Sequence, residues 1–151
     1  MATVVLEIGS AWVRGGLAGE DFPRFVVPLG SACLTPKYSY SSLSKAEASR
    51  MRYLELVNTM FLEHLLVRPK DCRVVVVESV FNSKEERHAL LEVLLTHVGV
   101  KAVSIQPGLH LALLTTGSDT GIVLDVGHSE CRAIAIAHGI PLLQVGNSAV
   151  E

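Results

Sequence analysis

Gly121-Ile-Val-Leu-Asp-Val-Gly-His-Ser-Glu-Cys-Arg132 reads as an apolar strand ending in Asp125, a tight turn at Gly127 and a returning strand. The same phrase stands near the start, as Thr3-Val-Val-Leu-Glu-Ile-Gly-Ser-Ala-Trp-Val-Arg14. At a constant offset of 118, Val5 matches Val123, Leu6 matches Leu124, Glu7 matches Asp125, Gly9 matches Gly127 and Arg14 matches Arg132. A strand, an acid, a glycine turn and a second strand, used twice, predicts a duplicated architecture. An acid closing a buried strand beside a glycine hairpin is one way in which a fold holds a nucleotide's metal and phosphates. The fold and the function both turn on what these two copies do.

Working outward from the first copy, residues 3–8 are β-branched or Leu with little alternation, which predicts a strand buried on both faces. Residues 11–17 return, Gly19 reverses the chain again, and Arg24–Val27 completes a three-strand meander closed by Pro28. Residues 29–44 form a break that reads as an exposed loop. From about Ser44, Leu54, Val57, Phe61 and Leu65 recur at helical spacing. Arg50, Arg52, Glu55 and Glu63 take the other side, as a solvated or partner-facing surface, and Pro69 stops the helix. Arg73–Ser79, with four consecutive valines, is the clearest strand.

Ser83 and Glu86 have the spacing of a capping box. The helix behind them carries Leu90, Leu91, Leu94, Leu95 and Val98 on one stripe, and Gly99 ends it. A strand over 100–105, Pro107 in the first turn of a helix over 109–116 and a stop at Gly117 follow. The second copy then supplies strands at 120–126, 131–137 and 140–145. The order βββ-α-β-α-β-α-βββ implies an α/β class, with a mixed sheet holding parallel neighbours. It is the layout of a ribonuclease-H-like lobe, with the first strands of a second, incomplete lobe behind it.

Composition narrows the function. Of 151 residues, 49% are hydrophobic and only 19% are charged, with a mean hydropathy of +0.39. That much apolar surface in a domain of this size predicts cover from another chain or from a further part of the fold. A net charge of −2 gives no electrostatic case for nucleic acid or for an anionic membrane. Cys33, Cys72 and Cys131 have no metal or disulfide spacing and suit a reducing compartment. No apolar run approaches the roughly 20 residues that span a bilayer, and the first residues lack a signal-peptide layout. These features predict a cytoplasmic protein with no membrane insertion.

Val5-Leu-Glu-Ile-Gly-Ser10 and Ala18-Gly-Glu-Asp-Phe-Pro-Arg24 resemble the opening strand, first phosphate loop and following segment of the actin family. Leu66-Val-Arg-Pro69, Val77-Glu-Ser79 and Thr120-Gly-Ile-Val-Leu-Asp125 continue the resemblance in the same order. Within the family, His64–Asp71, Arg73–Ser79, His110–Thr115 and Gly139–Leu142 are most similar to the actin-related proteins at the pointed end of dynactin. The resemblance covers about the first third of such a chain. It implies a first actin-like lobe at 1–119, with a shortened second subdomain at about 29–52, and the beginning of a second lobe at 120–151. It also implies a cytoskeletal setting, with actin-related subunits and pointed-end dynactin subunits as partners in dynein-driven transport. The shortened subdomain, which in actin reaches the next subunit, argues against self-polymerisation.

In the family, the two strand-end acids orient a metal's waters, and the loop amides cradle the phosphates of ATP or ADP with Mg. By that resemblance the possible residual contacts are Glu7, Gly9, Ser10, Arg14, Asp125 and Gly127. The loops depart from the pattern. Glu7 replaces an aspartate, Ala11 a glycine and Arg14 a lysine, and the planar fork of Arg14 is not a point charge. His128 replaces an acid and Ser129 a glycine. The position of the water-orienting glutamine falls on Gly108, with Gln106 two residues away, and Arg132 stands in place of a histidine. With no carrier for water activation, the expectation is a non-catalytic protein. The alternative is a nucleotide-binding ATPase or kinase-like member of the wider superfamily.

The plainer reading of Glu7 and Asp125 is a strand-end acid capping turn amides. The six histidines show no metal spacing and read as solvated or packing residues. Ser79, Ser83 and His88 could be assembled into a hydrolase on paper, but Ser83 already has a capping role and no nucleophile elbow is present. Trp12 reads as a packing residue over its loop. Strands 120–145 are expected to expose apolar faces for want of covering helices.

Overall fold

A computed structural model describes residues 1–29, 43–78 and 83–147. Most of the break expected at 29–44 lies outside the described residues, as do Cys33 and Ser79. The fold holds two sheets. In the first, β1 (Ala2–Ile8), β2 (Trp12–Leu17) and β3 (Phe25–Pro28) form the antiparallel meander. β4 (Cys72–Glu78) and β5 (Ala102–Pro107) run parallel to β1 and complete the order β3-β2-β1-β4-β5. The mixed α/β architecture is the expected one.

Two helices cover one face of this sheet. α1 (Lys45–Thr59) continues as a π-helical turn, Met60–Leu65, and α2 (Lys84–Glu92) continues as a second, Val93–Val98. Val4, Leu6, Val13, Val74 and Val76 bury against Leu56, Val57, Phe61 and Leu94 of these helices. Among the described residues, only that face is closed. Val5 and Glu7 on the reverse of β1 are half-buried, so the strand is not covered on both faces as its composition predicts.

The helix ends also depart from expectation. The first does not run to Pro69. It stops at Leu65, and Leu66 adopts a left-handed conformation (φ 54°) whose N–H donates to the Phe61 carbonyl at 3.0 Å. Pro69 acts one step away, by holding Arg68 extended (φ −75°, ψ 119°), so the chain must leave the helix earlier. In the second helix, the wider π turn rotates the stripe: Ala89, Val93 and Leu94 are buried, while Leu95 is exposed. The capping box at Ser83 is half formed. Its hydroxyl accepts the Glu86 N–H at 3.2 Å, but the Glu86 carboxylate goes to Ser49 and Arg52 instead. Ser44 has the complete box with Glu47.

Arg24 fastens the meander to the helix. It holds Glu20 through three short contacts and donates to the Leu65 carbonyl at 3.2 Å, while Phe25 stacks on His64 at 4.8 Å.

β5 starts at Ala102 rather than Val100, because the Val100 N–H closes the preceding helix on the Leu94 carbonyl. It runs through Pro107, which stands at the N-cap of α3 (Gly108–Leu114) rather than inside its first turn. The second sheet is an antiparallel meander of β6 (Gly121–Val126), β7 (Cys131–Ala137) and β8 (Ile140–Asn147). α3 packs Leu109 and Leu113 on Val123, Ile134 and Ile136, a small second core. A Cβ at Gly121 would lie 3.0 Å from Leu113 Cδ1, so glycine lets helix and sheet approach.

Candidate functional site

β1, β4 and β5 are parallel, so their carboxyl ends share one edge of the sheet, the edge at which open α/β sheets bind ligands. The β6–β7 hairpin faces that edge. Between them lies a cleft of about 1140 Å³, lined by Glu7, Gly9, Ser10, Arg14, Asp125 and Gly127 together. The duplication is therefore spatial as well as sequential: both copies turn their acid–glycine hairpins into one cleft.

The two hairpins have matching geometry. Gly9 N–H donates to the Trp12 carbonyl at 2.9 Å, and Gly127 N–H donates to the Glu130 carbonyl at 2.9 Å. A Cβ would sit 3.1 Å from the first carbonyl oxygen and 3.2 Å from the second. That close approach is why both turns carry glycine. Glu7 is in register with Arg14, and Asp125 with Arg132.

The strand-end acids do not cap their turns as the plainer reading has it. Glu7 pairs with the Arg14 guanidinium at 3.1 Å, and the Gly9 amide is spent on Trp12. Arg132 pairs with Glu130. Burial pulls the Arg132 guanidinium below its ordinary range, and the Asp125 carboxylate opposes that shift. Trp12 is 46% exposed at the rim, so its ring is not the packed residue expected.

Three further groups in the wall escaped the sequence reading. Glu78 ends β4, is buried, and meets Arg87 at 2.7 Å. Tyr53 and Glu86 bring α1 and α2 together beside Arg52. Glu86 takes Ser49 Oγ at 2.8 Å and Arg52 at 3.0 Å, and Arg50 reaches Glu92 at 3.0 Å. The face carrying Arg50 and Arg52 is thus neither merely solvated nor free for a partner: it is the seam between two helices. Burial first, and Glu86 second, push the Tyr53 phenol up to about 12. The sequence held a signal for Glu78, because the carboxyl end of a strand parallel to β1 had to fall beside Glu7.

The remaining candidates separate. Gly108 lines the cleft, and a Cβ there would meet Val77 Cγ1 at 3.3 Å. Gln106 binds Ser104 Oγ at 3.0 Å and is not among the lining residues. Ser83 is engaged as a cap. Among the described residues, no three His, Cys, Asp or Glu side chains converge on a possible metal position. No described helix is long and apolar enough to cross a membrane.

The arginines that line the cleft are ion-paired. Arg14, Arg52 and Arg132 each meet a carboxylate, and Glu7, Glu78, Glu86, Asp125 and Glu130 outnumber them. A polyphosphate entering here would have to displace carboxylates from the arginines and then face them. The ion pairs thus compete with a polyphosphate for the arginines, in a volume that would admit one.

Two hairpins with strand-end acids, facing each other across a cleft, define the class of fold, and sequence comparison agrees. Residues 48–148 match the family model described as Actin, and the chain belongs to the actin family. It is 25% identical over 175 aligned positions to Actin-related protein 10 of Dictyostelium discoideum, which covers 97% of this chain and 36% of that protein. It is also 25% identical over 166 positions to Actin-related protein 2 of Acanthamoeba castellanii, covering 92% and 43% respectively. The chain therefore spans well under half the length of these curated relatives.

Proposed function

We propose that this chain is a non-catalytic structural subunit of an actin-related assembly, of the kind that caps the pointed end of dynactin and supports dynein-driven transport along microtubules. The observation that carries this reading is the ion-paired cleft. Each lining arginine is held by a carboxylate, and the position that would orient an attacking water is Gly108. The likeness to Actin-related protein 10 favours the pointed-end assignment. Its partners are then other actin-related subunits and the pointed-end subunits of dynactin, in the cytoplasm and on the cytoskeleton. A pull-down with the filament-forming actin-related protein of dynactin tests it. Association in a discrete complex on size exclusion is expected, and no association would sink the proposal.

A second reading rests on the two glycine hairpins sharing one cleft: ATP or ADP with Mg, held structurally by Glu7, Ser10, Asp125 and Gly127. A ligand at 100 times its dissociation constant would add about 2.7 kcal/mol of stability. A flat thermal-shift response to Mg-ATP removes this reading and leaves the first intact.

A further inference from the structure

Away from the cleft, β6 bares Ile122, Leu124 and Val126 to solvent, the apolar exposure expected of this sheet. Inside it, the two hairpins hold their arginines differently. In the first, the register sets Glu7 opposite Arg14, and the side chains that meet at 3.1 Å are 44% and 46% exposed. In the second, Arg132 stands opposite Asp125 but pairs with Glu130, and its side chain is only 13% exposed. An exposed ion pair is held weakly and can change partners, whereas breaking a buried one strands a charge away from water. Arg14 is therefore the exchangeable cation of the cleft, and Arg132 the fixed one.

Asp125 completes the set. It lines the cleft from the second hairpin, is exposed and, among the described residues, is in no ion pair. Two carboxylates, Glu7 and Asp125, thus border one space. No third His, Cys, Asp or Glu among the described residues joins them at a possible metal position. Magnesium is commonly held in that way, by one or two carboxylates with phosphate oxygens and water rather than by a protein cage. Either ion arriving alone meets the wrong charge. A polyphosphate finds Arg14 taken by Glu7 and meets the Asp125 carboxylate, while a divalent cation finds Glu7 already neutralised by Arg14.

We infer that the Glu7–Arg14 pair is an exchange gate, which makes a polyphosphate and a divalent cation bind this cleft together and neither well alone. On joint binding Glu7 passes from Arg14 to the cation, with Asp125 as the second carboxylate, and the released Arg14 guanidinium is free for phosphate oxygens. Every charge that leaves the pair regains a partner of opposite sign. Arg132 keeps Glu130 throughout, because its pair is buried. The affinity for each ion then rises with the other by the same factor. This rests on the second reading above, of a cleft that holds ATP or ADP with Mg, and adds the residue pair that sets its ion requirement.

The probes are sodium tripolyphosphate and magnesium chloride, titrated separately and together into the full 151-residue chain and followed by calorimetry. Tripolyphosphate is expected to bind the parent at least tenfold tighter with magnesium than without. Glu7→Gln should bind it without magnesium at least tenfold tighter than the parent does, and should gain little from magnesium, because Arg14 is no longer held by a charge. Arg14→Gln should weaken binding in both conditions. Both side chains are half-exposed, and circular-dichroism melts would verify that the variants fold. If Glu7→Gln keeps the parent's magnesium requirement, or Arg14→Gln binds as the parent does, the gate is overturned while the cleft remains a binding site. Parent binding indifferent to magnesium overturns it in the same way. Binding by none of the three proteins in any condition removes the second reading along with it.

Discussion

Gly15 and Glu86 show how much one position can carry. Gly15 lies mid-strand, where glycine usually weakens a sheet, but a Cβ there would stand 2.6 Å from Phe25 Cζ and 3.3 Å from the Val5 carbonyl oxygen. Phe25 is buried and stacked on His64, so it cannot swing clear. Gly15→Ala is expected to cost about 1–3 kcal/mol by overpacking, measurable by urea denaturation. Glu86 sets the acid limb of stability. Burial pushes its carboxyl up, but hydrogen bonds from Tyr53 and Ser49 and the charge of Arg52 outweigh that and leave it below its ordinary 4.5. A lowered folded value means that the contribution is complete above pH 4.5 and is lost as pH falls through the folded value. Thermal melts between pH 3 and 7 should therefore show a flatter acid limb for Glu86→Gln than for the parent. The sequence announced neither role. Gly15 reads as one more strand residue, and Glu86 sits where a capping box would use it, so only the neighbouring helix reveals its partners.

At the scale of elements, the two helices on the first sheet finish alike, with a π turn and then one residue in the left-handed region. Gly99 fills that place in the second (φ 76°), and Leu66 fills it in the first (φ 54°) with its side chain in solvent. The left-handed conformation costs a side-chain-bearing residue about 1–2 kcal/mol and glycine almost nothing. Leu66→Gly should thus raise the midpoint of denaturation slightly, the relief of strain exceeding glycine's larger unfolded-state entropy. Gly99→Ala should lower the stability by about 1 kcal/mol. Opposite signs in paired melts would support this account, and a loss at both positions would refute it. Strand existence, order and the final meander were legible because their patterns are local. The helix ends were not, since a π turn leaves no composition mark and rotates the buried stripe from Leu95 to Val93. The acid–glycine residues of the cleft could be read because they occur twice, whereas Tyr53 and Arg52 reach it only through helix packing.

Taken as a whole molecule, the chain divides its apolar surface unevenly. The first sheet holds the large core, while among the described residues the second keeps only Leu109, Leu113, Ile134 and Ile136 buried together. The folded chain should therefore bind the dye anilinonaphthalene sulfonate without any denaturant, and Leu124→Lys should remove much of that signal. Full fluorescence from the variant would mean that the dye reports loosened packing elsewhere. The same unevenness has a consequence in time. β1 finds its parallel neighbour seventy residues on, Ala2 beside Cys72, so the first sheet closes only after a long loop has been brought together. The second sheet is built from adjacent hairpins, whose pairing is among the faster folding events. The smaller unit, later in sequence and poorer in core, is thus poised to form its ladders first and wait for the larger one. During synthesis the order reverses, because β1 and β4 have both emerged before β6 begins. Refolding from denaturant and folding at the ribosome would then traverse different intermediates on the way to one structure.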